Sequence, residues 1–169
     1  MITLGQLLES RDRRAERQRQ LLEAFPGFSL VCLTVQLPGS EKRNDRSLLI
    51  AEAGVAAIRD SFSPDYEELK DLETGFEGYF PVQLEALEAK RKACEIEDTH
   101  PLGRLMDIDV LSGMNGHLAV PVGRTNIGLA ARKCLLCEND ARYCMRAHSH
   151  SLPELLAEID RIVEIYLKM

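Results

Sequence analysis

The sequence lacks the features that mark membrane-spanning and secreted proteins. No run of apolar residues is long enough to cross a bilayer. The first five residues contain no basic region followed by an apolar core, so they do not resemble a secretion signal. The five cysteines are an odd number, which fits a reducing compartment better than a disulfide framework. We therefore expect a cytoplasmic protein.

A surplus of positive charge is missing as well. The net charge is −6 at pH 7, which argues against non-specific binding to nucleic acid, although a local basic patch can still bind phosphate. With 169 residues, of which 45% are hydrophobic and 28% charged, the chain is long enough for one domain with a sizeable core. We expect a single domain over residues 1–169.

Helical and strand-like hydrophobic patterns alternate along the chain. Apolar spacing and the positions of glycine and proline predict helices at 3–24, 47–61, 83–97 and 151–168. Strands are predicted at 28–37, 69–74, 79–82, 102–111 and 116–122, the last two joined by a hairpin turn at 113–116, whereas 124–132 is predicted to be a loop. This order of elements predicts an α+β fold, in which helices pack on a mixed β-sheet of four or five strands.

The predicted strand at 102–111 carries two carboxylates on one face. Because side chains alternate along a strand, Asp107 and Asp109 share one face, while Met106, Ile108 and Val110 form an apolar face for the core. Two like charges on a half-buried strand are costly unless a cation lies between them, and Mg²⁺ prefers oxygen ligands. The pair is typical of enzymes that transfer phosphoryl or nucleotidyl groups. A solvated acidic face on an edge strand is the alternative interpretation.

The first predicted helix carries a concentration of arginines. Five of them lie within nine positions: Arg11, Arg13, Arg14, Arg17 and Arg19. One interpretation is a solvated helix whose arginines pair with Asp12 and Glu16. The other is a phosphate clamp, because arginine binds phosphate through two parallel hydrogen bonds. Since the arginines outnumber these two acidic partners, we expect that they do not serve stability.

A cluster of metal-binding residue types lies in the segment 132–150. Cys134, Cys137 and Cys144 have the spacing Cys-x2-Cys-x6-Cys, and His148 and His150 follow. Two cysteines separated by two residues are a common half of a zinc site, which a third cysteine and one histidine would complete. We expect His150 as the fourth ligand, with His148 as its competitor, and a structural role for the zinc. Metal-free buried thiols and a Cys–His catalytic pair are the alternatives.

Three segments together resemble a known enzyme family. They are His-Pro-Leu-Gly-Arg-Leu-Met-Asp-Ile-Asp-Val at 100–110, Ser-Arg-Asp at 10–12, and Arg-Lys-Cys-Leu-Leu-Cys at 132–137. On these segments the sequence resembles the apo-citrate lyase phosphoribosyl-dephospho-CoA transferases, the holo-citrate lyase acyl-carrier-protein synthases. Met106 stands where that family usually has tryptophan. Asn126 replaces an expected aspartate and Ala130 and Ala131 replace a proline pair, so no role is carried onto that loop.

The resemblance implies a nucleotidyltransferase-like domain and a defined reaction. The donor would be 2′-(5″-triphosphoribosyl)-3′-dephospho-CoA. A serine of the citrate lyase acyl carrier protein, the gamma chain, would accept the phosphoribosyl-dephospho-CoA group, and pyrophosphate would leave. Asp107 and Asp109 would hold Mg²⁺ against the triphosphate. Glu97, or Glu77 in its place, would be a third carboxylate, acting as a base or as a ligand of a second metal.

Cationic side chains would bind the anionic substrates. Arg104, shortly before the aspartates, and Lys42, in a basic loop after the first strand, are the candidates for the triphosphate. Arg11, Arg14 and Arg17 would bind the same group or the acidic carrier protein.

A second class of function also fits the residue patterns. It is a non-enzymatic, zinc-stabilised interaction module, in which the basic helix is the docking face and the aspartate pair is a solvated edge.

Overall fold

The fold is built on one five-stranded sheet. The computed structural model describes residues 2–113 and 119–169. Its strands are β1 (Ser29–Val35), β2 (Glu68–Leu72), β3 (Gly75–Val82), β4 (Met106–Ser112) and β5 (Val120–Val122). Its helices are α1 (Leu4–Ala24), α2 (Asp45–Phe62), α3 (Ala86–Thr99), α4 (Ala141–Ala147) and α5 (Leu152–Leu167), with short 3-10 turns at Gly103–Leu105 and Arg124–Ile127. The strands lie in the order β2-β3-β1-β4-β5.

The predicted α+β class is confirmed, but the expected mixed sheet is wrong. Every strand pair in the described residues is antiparallel. β3 and β4 both run opposite to β1, which lies between them. The helical connection through α3 therefore joins two strands of the same direction that are not neighbours, and no parallel pair arises. β5 pairs with β4 as the predicted second arm of a hairpin, while residues 114–118 of that hairpin lie outside the described residues.

Capping side chains define where three of the helices begin. In each, the N-cap side chain accepts from a backbone amide three residues on, and that residue's side chain bonds back to the N-cap amide. The pairs are Thr3 with Gln6 at α1, Asn44 with Ser47 at α2, and Ser151 with Glu154 at α5. No helix within the described ranges is both long and apolar enough to cross a membrane.

The two faces of the sheet differ in how they are covered. On one face, α2, α3 and α5 form the main core with the strands, and Met106, Ile108 and Val110 are fully buried there. The predicted apolar face of β4 is therefore confirmed. On the other face, α1 packs through Leu21 on a smaller cluster that includes Leu30. The second face is left open beside α1, along β4.

A glycine brings the end of α3 against the start of β4. The Gly103 amide donates to the His100 carbonyl at 2.8 Å, which tightens the connection between the two elements. A Cβ atom on Gly103 would lie 2.4 Å from the carbonyl oxygen of Glu97 and 2.5 Å from that of Ile96. Both oxygens belong to backbone, so they cannot move aside as a flexible side chain can. Only glycine fits where α3 and β4 approach this closely.

We expect Gly103→Ala to destabilise the protein by about 1–3 kcal/mol or more, because the added methyl group forces the helix and strand apart. Urea unfolding followed by circular dichroism measures the change. Gly123→Ala is the matched control, since its nearest neighbour would be a side-chain atom at 3.5 Å. Equal stability of the two variants would contradict this assignment.

Candidate active site and metal site

Asp107 and Asp109 lie on the open face of β4. The register with β1 places Asp107 beside Thr34 and Asp109 beside Cys32. Asp107 is half-buried and accepts a hydrogen bond from Gln36 Nε2 at 2.9 Å, whereas Asp109 is exposed. Partial desolvation against the sheet and the charge of Asp107 raise the pKa of Asp109. The structure therefore brings the two carboxylates together as predicted, and their charges repel each other.

Two arginines of α1 are bonded to carboxylates of the sheet. Arg14 Nε lies 3.2 Å from Glu77 Oε1 on β3, and Arg17 Nη2 lies 2.6 Å from Glu68 Oε2 on β2. The Tyr79 hydroxyl donates to the other oxygen of Glu77 at 2.6 Å. The expectation that these arginines do not serve stability is therefore wrong. Their partners come from strands far along the chain, which helix spacing cannot identify.

Arg11 lies on the side of α1 that faces β4. Helical spacing places Arg11, Gln18 and Leu22 on one side of α1. Gln18 Nε2 contacts Cys32 Sγ at 3.6 Å, in the strand next to β4, and Leu22 lies against Gly113 at the end of β4. Arg11 is exposed and makes no ion pair with any residue of 2–113 or 119–169. Of the three α1 arginines predicted to bind substrate, Arg11 alone is in none of the described ion pairs.

Side chains form hydrogen bonds to the backbone at the outer edge of β4, in the part of that edge that is not paired with β5. Arg132 Nη1 donates to the Met106 carbonyl at 2.8 Å. Glu97 Oε1 accepts from the Ile108 amide at 2.8 Å, and Lys90 Nζ donates to the Ile108 carbonyl at 3.0 Å. In an antiparallel sheet the backbone groups of alternate residues point to the same neighbouring strand. Three charged side chains therefore take the place of that strand.

Both carboxylate oxygens of Glu97 are engaged. Its Oε2 lies 2.7 Å from Arg124 Nη2, and its side chain is only 2% exposed. Arg132 Nη1 lies 3.6 Å from Glu97 Oε1 and 3.9 Å from Asp107 Oδ1, so this guanidinium bridges the two carboxylates. The structure thus brings Glu97 close to Asp107 from the edge of the sheet. Glu77, the alternative third carboxylate, lies on β3, with β1 between it and β4.

Lys42 and Arg104 lie near the end of the sheet at which β4 begins. Lys42 Nζ donates to the Leu37 carbonyl just after β1, and burial lowers the pKa of this lysine. Arg104 Nη2 donates to the Cys134 carbonyl at 2.6 Å. Together with Arg124, Arg104 lines a cleft of about 490 Å³ between the end of α3 and the cysteine segment, residues 132–150.

The cysteine segment brings its predicted ligands together. The ligand atoms of Cys134, Cys137, Cys144 and His150 all lie within 4.8 Å of one another. Within the described residues, the buried Nε2 of His150 has no hydrogen-bond partner. A buried polar atom is rarely left without a partner, so this nitrogen fits a metal ligand. His148 is instead exposed at the end of α4, with a left-handed φ of 49°. The four clustered residues could hold a metal ion, and His150 rather than His148 belongs to the set.

The backbone favours a thiolate at the first cysteine. Burial alone would raise the pKa of Cys134, but the amides of Leu136 and Cys137 and the neighbouring thiols lower it to about 7. The thiolate is the form that binds metal. Burial raises the pKa of Cys144, whose Sγ lies 3.4 Å from that of Cys137. Arg132 thus lies between the carboxylates of Glu97 and Asp107 and the thiol cluster that begins at Cys134. Carboxylates and thiols suit different metals.

The chain is similar to a known family of transferases. The chain matches the family described as apo-citrate lyase phosphoribosyl-dephospho-CoA transferase over residues 2–166. A protein of Vibrio cholerae serotype O1 (strain M66-2) is 35% identical over 171 residues, which cover 98% of this chain and 93% of that protein. A protein of Streptococcus pyogenes serotype M18 (strain MGAS8232) is 33% identical over 168 residues, covering 98% and 87%. Both are named "Probable apo-citrate lyase phosphoribosyl-dephospho-CoA transferase".

The chain therefore belongs to the apo-citrate lyase phosphoribosyl-dephospho-CoA transferase family. The prediction of an enzyme is confirmed: the protein is a transferase acting on apo-citrate lyase, rather than a non-enzymatic interaction module.

The pair of Arg17 and Glu68 predicts how stability changes in acid. Hydrogen bonds from Arg17 lower the pKa of Glu68 from 4.5 to about 2. A carboxyl with a lowered folded-state pKa stabilises the fold fully above its unfolded pKa, and this contribution disappears as the pH falls through the folded value. We therefore expect Glu68→Gln to be less stable than the parent at pH 7, with the difference shrinking from about pH 4.5 towards pH 2.

Urea unfolding midpoints of both proteins across this range measure the effect. Glu52→Gln changes an exposed glutamate on α2 and should follow the parent at every pH. A difference between parent and Glu68→Gln that stays constant from pH 7 to pH 2 would contradict the ion pair.

Proposed function

We propose that the enzyme attaches the prosthetic group of citrate lyase to its carrier subunit. The donor is 2′-(5″-triphosphoribosyl)-3′-dephospho-CoA, and the acceptor is a serine of the citrate lyase acyl carrier protein, the gamma chain. The observation that carries this proposal is the pair Asp107 and Asp109 on an open face of β4, in a chain that belongs to this transferase family.

The proposed reaction is a nucleotidyl-type transfer at the α-phosphate. The serine oxygen bonds to the α-phosphorus, the bond from this phosphorus to the oxygen that bridges to the β-phosphate breaks, and pyrophosphate leaves. The serine proton is released, and the carrier keeps the group through a phosphodiester. Negative charge grows on the leaving pyrophosphate, so the site must offset it.

The residues of β4 fit a magnesium ion. Asp107 and Asp109 offer oxygen ligands one strand repeat apart. Partial desolvation and then the charge of Asp107 raise the pKa of Asp109, and a divalent cation would compensate this crowding of negative charge. When bound, Mg²⁺ neutralises the triphosphate and makes the α-phosphorus more electrophilic. The chain's own part is to fix these carboxylates, and the hydrogen bond from Gln36 does this for Asp107. We assign Glu97 to the same site, where its contact with the Ile108 amide holds β4 in place.

Cations around the open face would receive the substrates. Arg11 lies on the side of α1 that faces β4, and Arg104 lies in the turn before β4, so we assign both to the triphosphate. Lys42 can join them by releasing the Leu37 carbonyl. Arg14 and Arg17 hold α1 on the sheet and add positive charge to the surface that would meet an acidic carrier.

We further propose that the cysteine segment holds a structural zinc. Three thiols and one imidazole would supply all four ligands of a structural zinc and would leave no position open for substrate. The metal would stabilise a segment that contributes few side chains to the core.

The transfer itself is tested by measuring the mass of the carrier. The purified enzyme is incubated with the apo-carrier, the triphosphoribosyl donor and Mg²⁺, and the carrier is analysed by intact-mass spectrometry. We expect a gain equal to the phosphoribosyl-dephospho-CoA group, with one pyrophosphate released per modified carrier. An unmodified carrier, under conditions where enzyme and carrier are both folded, would overturn the proposed function.

Neutralising either aspartate should stop the transfer. We expect Asp107→Asn and Asp109→Asn to lower kcat by about a hundredfold or more, because each removes a charge from the proposed metal site. Thermal stability should be kept or increased, since each change relieves repulsion between the two carboxylates. Asp60→Asn is the control, because Asp60 is an exposed carboxylate on α2, outside the pair and in none of the described ion pairs. Near-normal kcat of either aspartate variant at saturating Mg²⁺ would contradict the assignment.

The cysteine cluster should hold metal in the purified protein. We expect about one Zn²⁺ per chain in protein prepared without chelator, because four ligands converge at one point. Cys137→Ser should lose this metal, whereas Cys94→Ser, which changes a buried cysteine of α3 outside the cluster, should retain it. Elemental analysis by plasma mass spectrometry measures the content. Freely titratable thiols in a folded, metal-free parent would refute the site.

A further inference from the structure

Arg132 connects two parts of the molecule that the proposed function treats separately. It lies at the start of the segment that closes around the metal site, shortly before its first cysteine. Its Nη1 donates to the Met106 carbonyl at 2.8 Å, and its Nη2 donates to the Arg104 carbonyl at 2.9 Å. The same guanidinium lies 3.6 Å from Glu97 and 3.9 Å from Asp107. One side chain therefore contacts the turn before β4, the strand β4 and two carboxylates of the proposed site.

The segment that presents Arg132 depends on its own ligands for order. Among residues 132–150, the buried side chains are those of Cys134 and Cys144. A hydrogen bond from the Ala141 amide to the Arg132 carbonyl, at 2.9 Å, closes the base of the loop. Because this segment buries so little surface, its hydrophobic stabilisation is weak. Coordination of a metal would therefore supply most of its order.

Contacts in the opposite direction fasten the segment to β4. Arg104 donates to the Cys134 carbonyl at 2.6 Å, while Arg132 donates to the Arg104 carbonyl. The planar fork of an arginine can reach two carbonyls at once, which the single ammonium of a lysine cannot do in the same geometry. Because each arginine bonds to a carbonyl on the other side, the position of Arg132 depends on the fold of the cysteine segment, residues 132–150.

We propose that Arg132 is a positioning residue. Through it, the cysteine segment holds Asp107, Glu97 and the outer edge of β4 in the positions that the transfer requires. This inference rests on the proposed function of the aspartate pair. The metal fixes the segment, the segment fixes the guanidinium, and the guanidinium fixes the strand. Loss of the metal and loss of the Arg132 side chain then disturb the site in the same way.

A double-mutant cycle tests whether the metal and the Arg132 side chain act on the site through the same contact. We expect Arg132→Gln and Cys137→Ser each to lower kcat by about tenfold to a hundredfold, the range for residues that orient ligands from outside. The double variant should be no slower than the slower single variant, because the second change breaks a contact that is already lost. Multiplied losses would overturn the proposal, as would a parent-like kcat in Arg132→Gln.

Two further variants separate positioning from general damage. Arg132→Gln should keep its zinc, because the Arg132 side chain makes no bond to a ligand atom, and it should stay folded although it loses the bonds to the Met106 and Arg104 carbonyls. Arg132→Lys should restore little of the lost kcat, since it keeps the charge without the fork. Arg161→Gln is the matched control, an arginine on α5 that pairs with Glu158 on its own helix. Full rescue by lysine would show that only charge matters and would overturn the positioning role.

Hydrogen exchange at the Ile108 amide tests the same coupling without any substrate. This amide donates to Glu97, which lies beside Arg132. In the zinc-loaded parent we expect slow exchange by NMR, and removal of zinc with a chelator should accelerate it. In Arg132→Gln, exchange should be fast already and change little on chelation.

The exchange measurement also distinguishes failure of this inference from failure of the proposed function. Equal acceleration by chelation in both proteins, or none in the parent, would overturn the coupling even if the parent transfers its group normally. Coupling intact in a parent that never modifies the carrier would overturn the proposed function alone.

Discussion

The structure depends on how the backbone amides and carbonyls at the outer edge of β4 are hydrogen-bonded. A strand edge that lies against other elements must have its amides and carbonyls bonded, because an unpaired buried backbone group costs free energy. Here Lys90 and Glu97, seven residues apart on one side of α3, bond the carbonyl and the amide of Ile108. Both side chains are buried, and burying charge is costly unless its bonds are complete. The backbone of β4 bonds both side chains and Arg124 bonds the second oxygen of Glu97, so the strand and α3 fix each other's position.

The carboxylates on the open face of the sheet fall into two groups. Glu77 and Glu68 are compensated from within the chain, by Arg14 at 3.2 Å and Arg17 at 2.6 Å. Asp107 has its nearest arginine at 3.9 Å, and for Asp109 none of the described ion pairs supplies a partner. Compensation inside the fold therefore stops at β4, and the remaining negative charge is left for a partner from outside. This difference marks the candidate active site more sharply than the residue types alone.

Local patterns predicted those parts of the structure that local chemistry decides. Alternation along β4 gave the correct faces for Asp107 and Met106, and the spacing of Cys134 and Cys137 pointed to the cluster of residues that could hold a metal. The ion pair between Arg17 and Glu68 could not be predicted from the sequence, because only the tertiary fold brings these residues together. The helix α4 was missed because it is short and, in this segment, largely without buried apolar residues.

Arg132 and Lys90 show a related limit of sequence reasoning. Each bonds to backbone carbonyls of β4, and a carbonyl carries no signature in the sequence. Lys90 is a lysine on the buried side of a helix, which is unusual enough to single out, but its partner depends on where β5 ends. The mixed sheet was expected from the order of helices and strands. Because β1 lies between β3 and β4, the two strands that α3 connects are not neighbours, and no parallel pair forms.

The central place of β1 has a consequence for how the chain folds during synthesis. β1 is made early, yet Thr34 pairs with Glu77 on one side and with Asp107 on the other, both much later in the chain. Closing such long loops is slow compared with forming helices. Until β4 emerges from the ribosome, one edge of an apolar strand stays open to other chains, which favours association of unfinished molecules. The strand that bears the aspartates is thus also the one whose arrival ends this vulnerable stage of folding.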